Sequence, residues 1–263
     1  MPADRWDTTG ATAALVTGGA VRIGQCLVET LAERGCDVAI HYRGSSDAAE
    51  AAAARAAALG VKAVTVQADL ADMTATAGLV ARASAALDRP LDLLVNNASL
   101  FENDRIDTLT PESLEAHLAV NTKAPLLLAQ AFARDLPDDR GGNIVNVIDE
   151  RVLNPTPWFL SYTLSKAGLL TLTRTLAMAL APRIRVNGIG PGPVLRNVRQ
   201  TEEQFARQWR STLLGRGAPP AEIAAALTYI LSAPALTGQM LAIDGGQHLP
   251  WPPLTEDLAS LDG

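Results

Sequence analysis

The chain has 263 residues and a mass of 27.6 kDa, and its 28 acidic and 22 basic side chains leave a net charge of −6. This length, with an apolar content of 48 %, suits a folded globular protein and excludes a disordered one, while the acidic balance argues against a nucleic-acid or anionic-membrane surface. Two cysteines, Cys26 and Cys36, are too few for a disulfide framework, which fits a reducing compartment. No apolar run reaches the ~18 residues of a membrane span, so we expect a soluble, cytoplasmic protein.

Short apolar, β-branched segments alternate with longer amphipathic segments along the chain. The predicted strands are Thr12–Thr17, Asp37–Tyr42, Val61–Ala68, Leu91–Val95, Asn143–Ile148, Ile184–Ile189 and Met240–Ile243. The predicted helices are Ile23–Arg34, Asp47–Leu59, Met73–Leu87, Glu112–Leu136, Tyr162–Ala181, Thr201–Thr212 and Ala221–Ser232. Strands that are apolar on both faces and alternate with helices are typical of a parallel sheet covered on both sides. The sequence therefore predicts an α/β fold, a single doubly wound parallel sheet of the Rossmann type with helices on both faces.

No linker rich in proline, glycine and serine divides the chain, so we expect one domain over residues 1–263. Residues 190–217 form the least regular connection, with a short helix of their own, and we expect a substrate lid there. Residues 247–263 follow the last predicted strand as a C-terminal tail, either frayed or held on a partner subunit.

A glycine-rich turn, Thr17-Gly18-Gly19-Ala20-Val21-Arg22-Ile23-Gly24, follows the first predicted strand and opens the first predicted helix. Glycine lets the main chain approach a pyrophosphate, and a helix N-terminus offers unpaired N–H groups and the positive end of its dipole. Strand-to-helix turns also use glycine for steric reasons, but at the first such junction of a doubly wound chain the pattern favours a dinucleotide site.

The end of the second predicted strand indicates which dinucleotide is bound. An NAD-binding protein usually places an acid there to hold the ribose 2′-hydroxyl, whereas this chain has His41-Tyr42-Arg43-Gly44-Ser45. Arg43 and the Ser45 hydroxyl can hold a 2′-phosphate by charge-assisted hydrogen bonds. The sequence therefore favours NADP(H); the alternative is a solvated arginine at a strand end.

Tyr162 and Lys166 stand four residues apart and share one face of a predicted helix. An ammonium beside a phenol favours tyrosinate and lowers a pKa that starts near ~10, which suits a general acid. The alternative is a surface Tyr–Lys pair.

Further polar and glycine residues follow other predicted strands, at the sheet edge where open α/β folds bind ligands. They are Asn96-Asn97-Ala98-Ser99, Gly190-Pro191-Gly192 and Asp244-Gly245-Gly246. Asn121 falls inside a predicted helix, where asparagine is a mediocre helix former, and this position indicates a role for its side chain.

Together these residues resemble the short-chain dehydrogenase/reductase family, over about residues 12–246. The motifs in chain order are the glycine-rich turn, Asp69, Asn96-Asn97-Ala98, Asn121, Tyr162 with Lys166, Pro191-Gly192 and Asp244-Gly245-Gly246. The resemblance implies that Asp69 lies beside the adenine and Asn97 near a cofactor ribose. It also implies that Asn121 supports a proton relay, that Tyr162 donates the proton, and that Lys166 binds the nicotinamide ribose and tunes Tyr162.

Four departures from the family pattern resemble its pteridine reductase branch. Arg22 stands where the turn usually has its middle glycine, and Asp149 stands where the catalytic serine usually lies. Asn-Asn-Ala-Gly has become Asn-Asn-Ala-Ser, followed by Leu100 and Phe101, and the second strand ends in His-Tyr-Arg-Gly-Ser. One feature does not fit: NADP-preferring relatives often have a basic residue where this chain has Val21.

The resemblance implies a residue set for each part of the site. The catalytic residues are Asp149, Tyr162, Lys166 and Asn121. The cofactor-binding residues are Gly18, Arg22, Ile23, Gly24, His41, Tyr42, Arg43, Ser45, Asp69, Leu70, Asn97, Ala98, Ser99, Tyr162, Lys166, Pro191, Gly192 and Val194. The substrate-binding residues are Arg22, Ser99, Phe101, Asp149, Tyr162 and Trp209, with Phe101 stacking a pterin ring against the nicotinamide. Phe205 and Trp209 either cap a flat substrate or close the core.

Asp149 also carries a chemical argument about the substrate. Reduction of a ketone develops negative charge on oxygen, which a neighbouring carboxylate opposes. Reduction of a C=N bond uses a protonated, iminium-like nitrogen, which a carboxylate stabilises. A carboxylate also raises the pKa of Tyr162, while Lys166 lowers it.

We therefore expect NADPH-dependent reduction of a dihydropterin, of the dihydrobiopterin, dihydromonapterin or dihydrofolate type, to its tetrahydro form. The alternatives are a short-chain ketone or 3-oxoacyl reductase of the same family, and a non-catalytic NADP(H)-binding sensor. By resemblance we expect a homotetramer, with no nucleic-acid, membrane or metal partner. His41 and His117 are expected to pack rather than to ligate a metal, because no second ligand stands at a chelating spacing.

Overall fold

In the computed structural model, which describes residues 11–197 and 199–249, seven parallel strands form one sheet. The strands are β1 Ala13–Val16, β2 Asp37–Tyr42, β3 Ala63–Gln67, β4 Leu93–Asn96, β5 Gly142–Val147, β6 Ile184–Pro191 and β7 Met240–Ile243. Their order in the sheet is β3-β2-β1-β4-β5-β6-β7. The order reverses direction between β1 and β4, the point at which doubly wound sheets bind ligands. The predicted fold class is confirmed.

Nine α-helices connect these strands in the described part of the chain. They are α1 Arg22–Glu33, α2 Ser46–Ala58, α3 Met73–Ala77, α4 Leu79–Leu87, α5 Pro111–Leu118, α6 Ala124–Asp135, α7 Leu160–Leu180, α8 Glu202–Arg210 and α9 Pro220–Ser232. A single 3₁₀ turn, Glu150–Val152, follows β5.

The core has two layers, one on each face of the sheet. Alternate strand residues separate between them: Val16 packs with α1, α2 and α9, and the adjacent Leu15 packs with α4, α6 and α7. Period-two alternation on strands buried on both faces explains why each strand reads as a continuous apolar run. Alanine, leucine and valine fill both layers, with Phe132 the largest fully buried side chain.

Two predicted helices are each divided in the structure. The first breaks at Gly78, where α3 ends and α4 begins, and α3 starts where Asp72 accepts hydrogen bonds from Thr74 N and Ala75 N. The second contains a π-turn, Ala119–Lys123, between α5 and α6. Pro125, in the first turn of α6, has no N–H with which to continue a regular α-helical ladder, so the turn widens around Asn121.

The parallel register brings all strand ends that carry predicted motifs to one edge of the sheet. β6 continues two residues beyond the predicted end, to Pro191, because Pro191 still pairs with Ile243 of β7. Of the predicted tail, residues 247–249 are described, and residues 250–263, including Trp251, lie outside the described residues. Within the described ranges, no helix has the length and apolar character needed to cross a membrane.

Candidate active site

A cavity of about 820 Å³ opens at the carboxyl edge of the sheet. Its walls are the segments that follow the first six strands, β1 to β6, together with part of α7, one face of α8 and Gln247 beyond β7. A cavity of this size at the switch point of a doubly wound sheet is the expected place for a cofactor and a small substrate.

The glycine-rich turn lies against the loop after β4 with no room for side chains. A Cβ on Gly24 would overlap the Gly18 carbonyl and come within 2.6 Å of Asn97 Nδ2. Asn97 Nδ2 donates to the carbonyls of Thr17 and Gly18, at 2.9 and 3.1 Å. The turn is therefore held by the Asn97 amide, and the N-terminus of α1 faces the cavity without a side-chain cap or an acid in its first turn.

Arg22 occupies the left-handed region, with φ +57°, where the family pattern has glycine. A non-glycine residue with this backbone costs energy, so surrounding contacts must hold Arg22 in this conformation. Its guanidinium donates to the main-chain carbonyls of Leu195 and Arg196, at 3.2 and 3.0 Å. Arg22 thus links the phosphate turn to the connection between β6 and α8.

His41 connects the glycine-rich turn to the ends of β2 and β3. Gly18 N–H donates to His41 Nδ1 at 3.1 Å, so Nε2 carries the proton and donates to the Ala68 carbonyl, also at 3.1 Å. Burial lowers the pKa of His41 to about 4, which keeps the ring neutral. His41 therefore supports the turn through hydrogen bonds.

The ends of β2 and β3 form the outer part of the cavity. Arg43, Ser45 and Asp69 line it and are exposed, and the buried Leu70 also lines it. In the described part of the chain the Arg43 guanidinium has no carboxylate partner, so it is available to an anion at this rim.

The two groups expected to handle protons are in direct contact. Tyr162 Oη donates to Asp149 Oδ2 at 2.7 Å, and Tyr162 is 5 % exposed. Burial and the Asp149 carboxylate raise the pKa of Tyr162 well above its ordinary value. Burial has the largest effect and Asp149 adds to it, against an opposing effect of the Arg151 guanidinium, so the phenol keeps its proton at neutral pH.

Lys166 lies beneath Tyr162 at the floor of the cavity. Its Nζ donates to the Val147 carbonyl at 2.8 Å and stands 5.8 Å from the centre of the Tyr162 ring. Burial lowers the pKa of Lys166 to about 8, against the opposing effect of Asp149. The ammonium is thus placed to interact with a polar group on this floor.

Asn121 lies behind the cavity wall and makes four hydrogen bonds. Its Nδ2 donates to Leu100 O and Ser165 Oγ, both at 2.9 Å, and its Oδ1 accepts from Leu100 N and Ser99 Oγ. None of these partners is Lys166 or Tyr162. In this structure Asn121 therefore positions the loop that carries Phe101.

Two phenylalanines, stacked on each other, form an aromatic wall beside the Tyr162–Asp149 pair. The Phe101 and Phe159 rings stack with centroids 4.6 Å apart and 4° between their planes. The Phe101 and Tyr162 rings meet edge to face, with their centroids 4.7 Å apart. The Arg151 guanidinium lies 4.7 Å from the centroid of the Phe159 ring. Phe159 has φ +60° and its N–H donates to the Asp104 carbonyl at 2.8 Å. Such a wall suits a planar, delocalised substrate.

The connection between β6 and α8 crosses the mouth of the cavity. Arg199 donates to the Phe101 carbonyl at 3.2 Å and pairs with the Glu102 carboxylate. With the Arg22 contacts on its other side, this connection is tied to both halves of the mouth. Its action as a lid remains a prediction.

The structure brings most of the predicted site residues to this cavity. Those that line it are Gly18, Arg22, Ile23, Gly24, His41, Arg43, Ser45, Asp69, Leu70, Asn97, Ala98, Ser99, Phe101, Asp149, Tyr162, Lys166, Pro191, Gly192 and Val194. Three predicted residues do not line it. Tyr42 packs against the core, Asn121 lies behind the wall, and the Trp209 indole lies over Gly217, 5.4 Å from the Phe205 ring. On α8 it is Phe205 and Gln208, three residues apart, that line the cavity.

Sequence reasoning missed several lining residues that carry polar or aromatic groups. They are Glu150, Arg151, Phe159, Arg199 and Gln247. None belongs to a family motif, and Arg199 and Gln247 come from irregular segments whose path is set by tertiary contacts. The available signal was the position of Glu150 and Arg151 directly after Asp149.

Comparisons with known proteins agree with this geometry. The chain matches the family model described as short chain dehydrogenase over residues 12–207. The structure of alternative dihydrofolate reductase 1 from Brucella suis in complex with NADP is similar, with a TM-score of 0.89, 47 % identity, and coverage of 92 % of this chain and 97 % of that one. Pteridine reductase 1 from Leishmania tarentolae is 34 % identical, and the match covers 92 % of this chain and 99 % of that protein. A 3-oxoacyl-[acyl-carrier-protein] reductase from Synechocystis is 30 % identical, and the match covers 90 % of this chain and 96 % of that protein.

The fold, the Tyr162–Lys166 pair and the glycine-rich turn thus occur together with a match that spans most of the chain. The chain belongs to the short-chain dehydrogenase/reductase family of oxidoreductases.

Proposed function

We propose that this protein uses NADPH to reduce the C=N bond of a dihydropterin, giving the tetrahydropterin. The observation that carries the proposal is the 2.7 Å hydrogen bond from Tyr162 Oη to the Asp149 carboxylate, beside the aromatic wall of Phe101 and Phe159. The pterin-reducing and folate-reducing relatives named above support it.

The residues present fit a nicotinamide dinucleotide phosphate. Gly18 and Gly24 leave the main chain open to a pyrophosphate, and the uncapped N-terminus of α1 offers N–H groups and a positive dipole end. Arg43 and Ser45 would hold the 2′-phosphate, and Lys166 would hold the nicotinamide ribose. When bound, this cofactor supplies the hydride that adds to the ring carbon, and the C=N electron pair moves to nitrogen.

The protein's own groups manage the proton and the charge on that nitrogen. Tyr162 enters the reaction protonated because burial and Asp149 raise its pKa, and its hydroxyl can donate to the ring nitrogen. The Asp149 carboxylate stabilises the cationic, iminium-like nitrogen by its charge. Lys166, 5.8 Å from the Tyr162 ring centre, stabilises the phenolate that remains.

A 3-oxoacyl or other ketone reductase is the competing activity, because such a relative also matches the chain. Negative charge would then develop on the substrate oxygen next to Asp149, and like charges this close repel. The aromatic wall of Phe101 and Phe159 also suits a ring better than an acyl chain.

The test is NADPH oxidation by the purified protein with dihydrobiopterin, dihydromonapterin, dihydrofolate and a 3-oxoacyl thioester. We expect turnover of pterins and about a 100-fold to 10,000-fold loss of kcat in Tyr162→Phe, the range for general acid catalysis. Asp149→Asn should lose at least about 100-fold, since it keeps the shape but removes the charge.

Both Asp149→Asn and Asp149→Ser keep an oxygen that can accept from Arg151 N, so the 3₁₀ turn is preserved. NADPH binding, followed by fluorescence, provides the check that each variant folds. Turnover of the thioester alone, retained in Asp149→Ser, would contradict the proposal, and cofactor binding without turnover of any substrate would favour a sensor.

A further inference from the structure

Two polar side chains in the cavity wall are left unused by the chemistry above. Glu150 directly follows Asp149, lines the cavity and is 6 % exposed. Among the described residues, its carboxyl group has no hydrogen-bond or ion-pair partner. The carboxyl oxygens keep contact with the cavity, so a ligand group bound there can supply the missing partner.

Gln247, in the segment after β7, has the same property. It lines the cavity, and its Oε1 is buried with no hydrogen-bond partner. Its side-chain nitrogen likewise has no partner within the described residues, so the observation does not depend on which way the amide is turned. Its main-chain N–H donates to the Asp244 carbonyl at 3.3 Å.

Both residues lie near Asp244, Gln247 through its main-chain hydrogen bond and Glu150 through the charge of the Asp244 carboxylate. Asp244 lies within electrostatic range of Glu150, and its carboxylate is occupied by the N–H groups of Gly246 and His248 and by His248 Nδ1. Glu150 also lies within electrostatic range of Tyr162, so this corner adjoins the reacting groups.

We propose that Glu150 and Gln247 form a second polar subsite, which binds the hydroxyl groups of the substituent on the reacting ring carbon. The inference rests on the proposed function. In a 7,8-dihydropterin the carbon of the reducible C=N bond bears the side chain, so a subsite one residue beyond Asp149 is within reach of it.

The charge on this corner determines the class of substituent. The groups that face Glu150 are Asp149 and Asp244, which oppose its ionisation, and Arg151, which favours it. With burial as the largest effect, the pKa of Glu150 rises to about 8, so at pH 7 the group is a neutral acid that both donates and accepts.

Hydroxyl groups complement such a pair, because each can donate to Gln247 Oε1 and accept from Glu150. A carboxylate only accepts, so it would leave the Gln247 oxygen unpaired and lie near Asp149 and Asp244. The subsite therefore favours hydroxyalkyl pterins over pterins with an anionic tail.

The experiment compares a hydroxyalkyl dihydropterin with 6-methyl-7,8-dihydropterin, which lacks the hydroxyl groups. In Glu150→Met, of similar length, we expect KM for the hydroxyalkyl substrate to rise about 10-fold and KM for the methyl substrate to change less than about 2-fold. Glu150→Gln keeps a donor and an acceptor, so its KM for the hydroxyalkyl substrate should stay within about 3-fold of the wild-type value. Calorimetric Kd values for the two tetrahydropterin products, measured with NADP⁺ present, should follow the same pattern.

Dihydrofolate tests the charge. Its KM should rise about 3-fold or more between pH 7 and 9 in the wild type, as Glu150 ionises, and this part of the rise should be absent in Glu150→Gln. Glu115→Gln removes the same charge from an exposed ion pair outside the cavity and should behave as the wild type.

The outcomes separate the two proposals. A wild type that reduces neither dihydropterin would overturn the proposed function and the subsite with it. Reduction of both, with equal changes in KM in Glu150→Met, would overturn the subsite alone, as would a Kd pattern that ignores the hydroxyl groups.

Discussion

The half of the cavity proposed for the cofactor and the half proposed for the substrate are lined by different kinds of groups. Main chain of the glycine-rich turn and of the loop after β4 forms the inner part of the cofactor half, where Gly18 and Gly24 pack against Asn97 and Ala98 too closely for any larger residue. The substrate half consists of long side chains, such as Phe101 and Phe159, from segments distant in the sequence. A site made of main chain tolerates little change, whereas a site made of side chains can change specificity without changing the fold.

Gly24→Ala, with the largest expected effect, tests whether the cofactor half depends on close main-chain packing. The added Cβ would overlap the Gly18 carbonyl and come within 2.6 Å of Asn97 Nδ2, so the turn must move. We expect NADPH to bind at least about 100-fold more weakly and Tm to fall by about 2–12 °C, from overpacking of about 1–3 kcal/mol. Calorimetry and thermal unfolding measure the two effects.

Gly78→Ala is the matched control, because its nearest neighbour would be 3.9 Å from the new Cβ and it lies outside the cavity. If Gly24→Ala bound NADPH as the wild type does, the cofactor half would not depend on close main-chain contact.

A smaller effect is expected from Arg43→Ala, which tests whether cofactor choice resides at the end of β2. Loss of charge-assisted hydrogen bonds to the 2′-phosphate should raise KM for NADPH about 10-fold to 100-fold and leave KM for NADH within about 2-fold. Arg34→Ala removes an exposed arginine outside the cavity and should change neither value. Equal losses with NADPH and NADH would place the preference elsewhere.

The smallest effect is expected from Phe159→Leu, which tests the contribution of the aromatic stack to substrate binding. Leucine keeps an apolar side chain at the start of α7 but removes the stack on Phe101. We expect KM for the dihydropterin to rise about 3-fold to 10-fold, as for loss of one aromatic pair, with KM for NADPH unchanged. Trp158→Leu, beside it but outside the lining, is the control; an equal effect there would indicate a change in the loop instead.

Prediction from the sequence was most accurate where short-range patterns suffice. All seven strands were found, as was the helix that carries Tyr162 and Lys166, because apolar runs and the spacing of four residues are local properties. The boundaries were less accurate: Gly78 and the π-turn at Asn121 interrupt helices whose apolar pattern continues without a break.

The substrate half was harder to predict because its contacts join distant segments. Trp209 was expected at the substrate, yet the lining residues of α8 are Phe205 and Gln208, since the rotation of that short helix depends on its packing. No local pattern indicates that Glu150 and Gln247, which are distant in the sequence, line one cavity.

The amino-acid sequence by itself determined the doubly wound sheet, the glycine-rich turn and the Tyr162–Lys166 pair, because each follows from periodicity or fixed spacing within one or two elements. Tertiary structure alone decided the protonation of the site. Only the fold brings Asp149 within 2.7 Å of Tyr162 Oη in a buried place, where burial and the carboxylate together raise the pKa of the phenol so that it keeps its proton. Electrostatic energy depends on distance and on exclusion of water, and neither is written in the order of the residues.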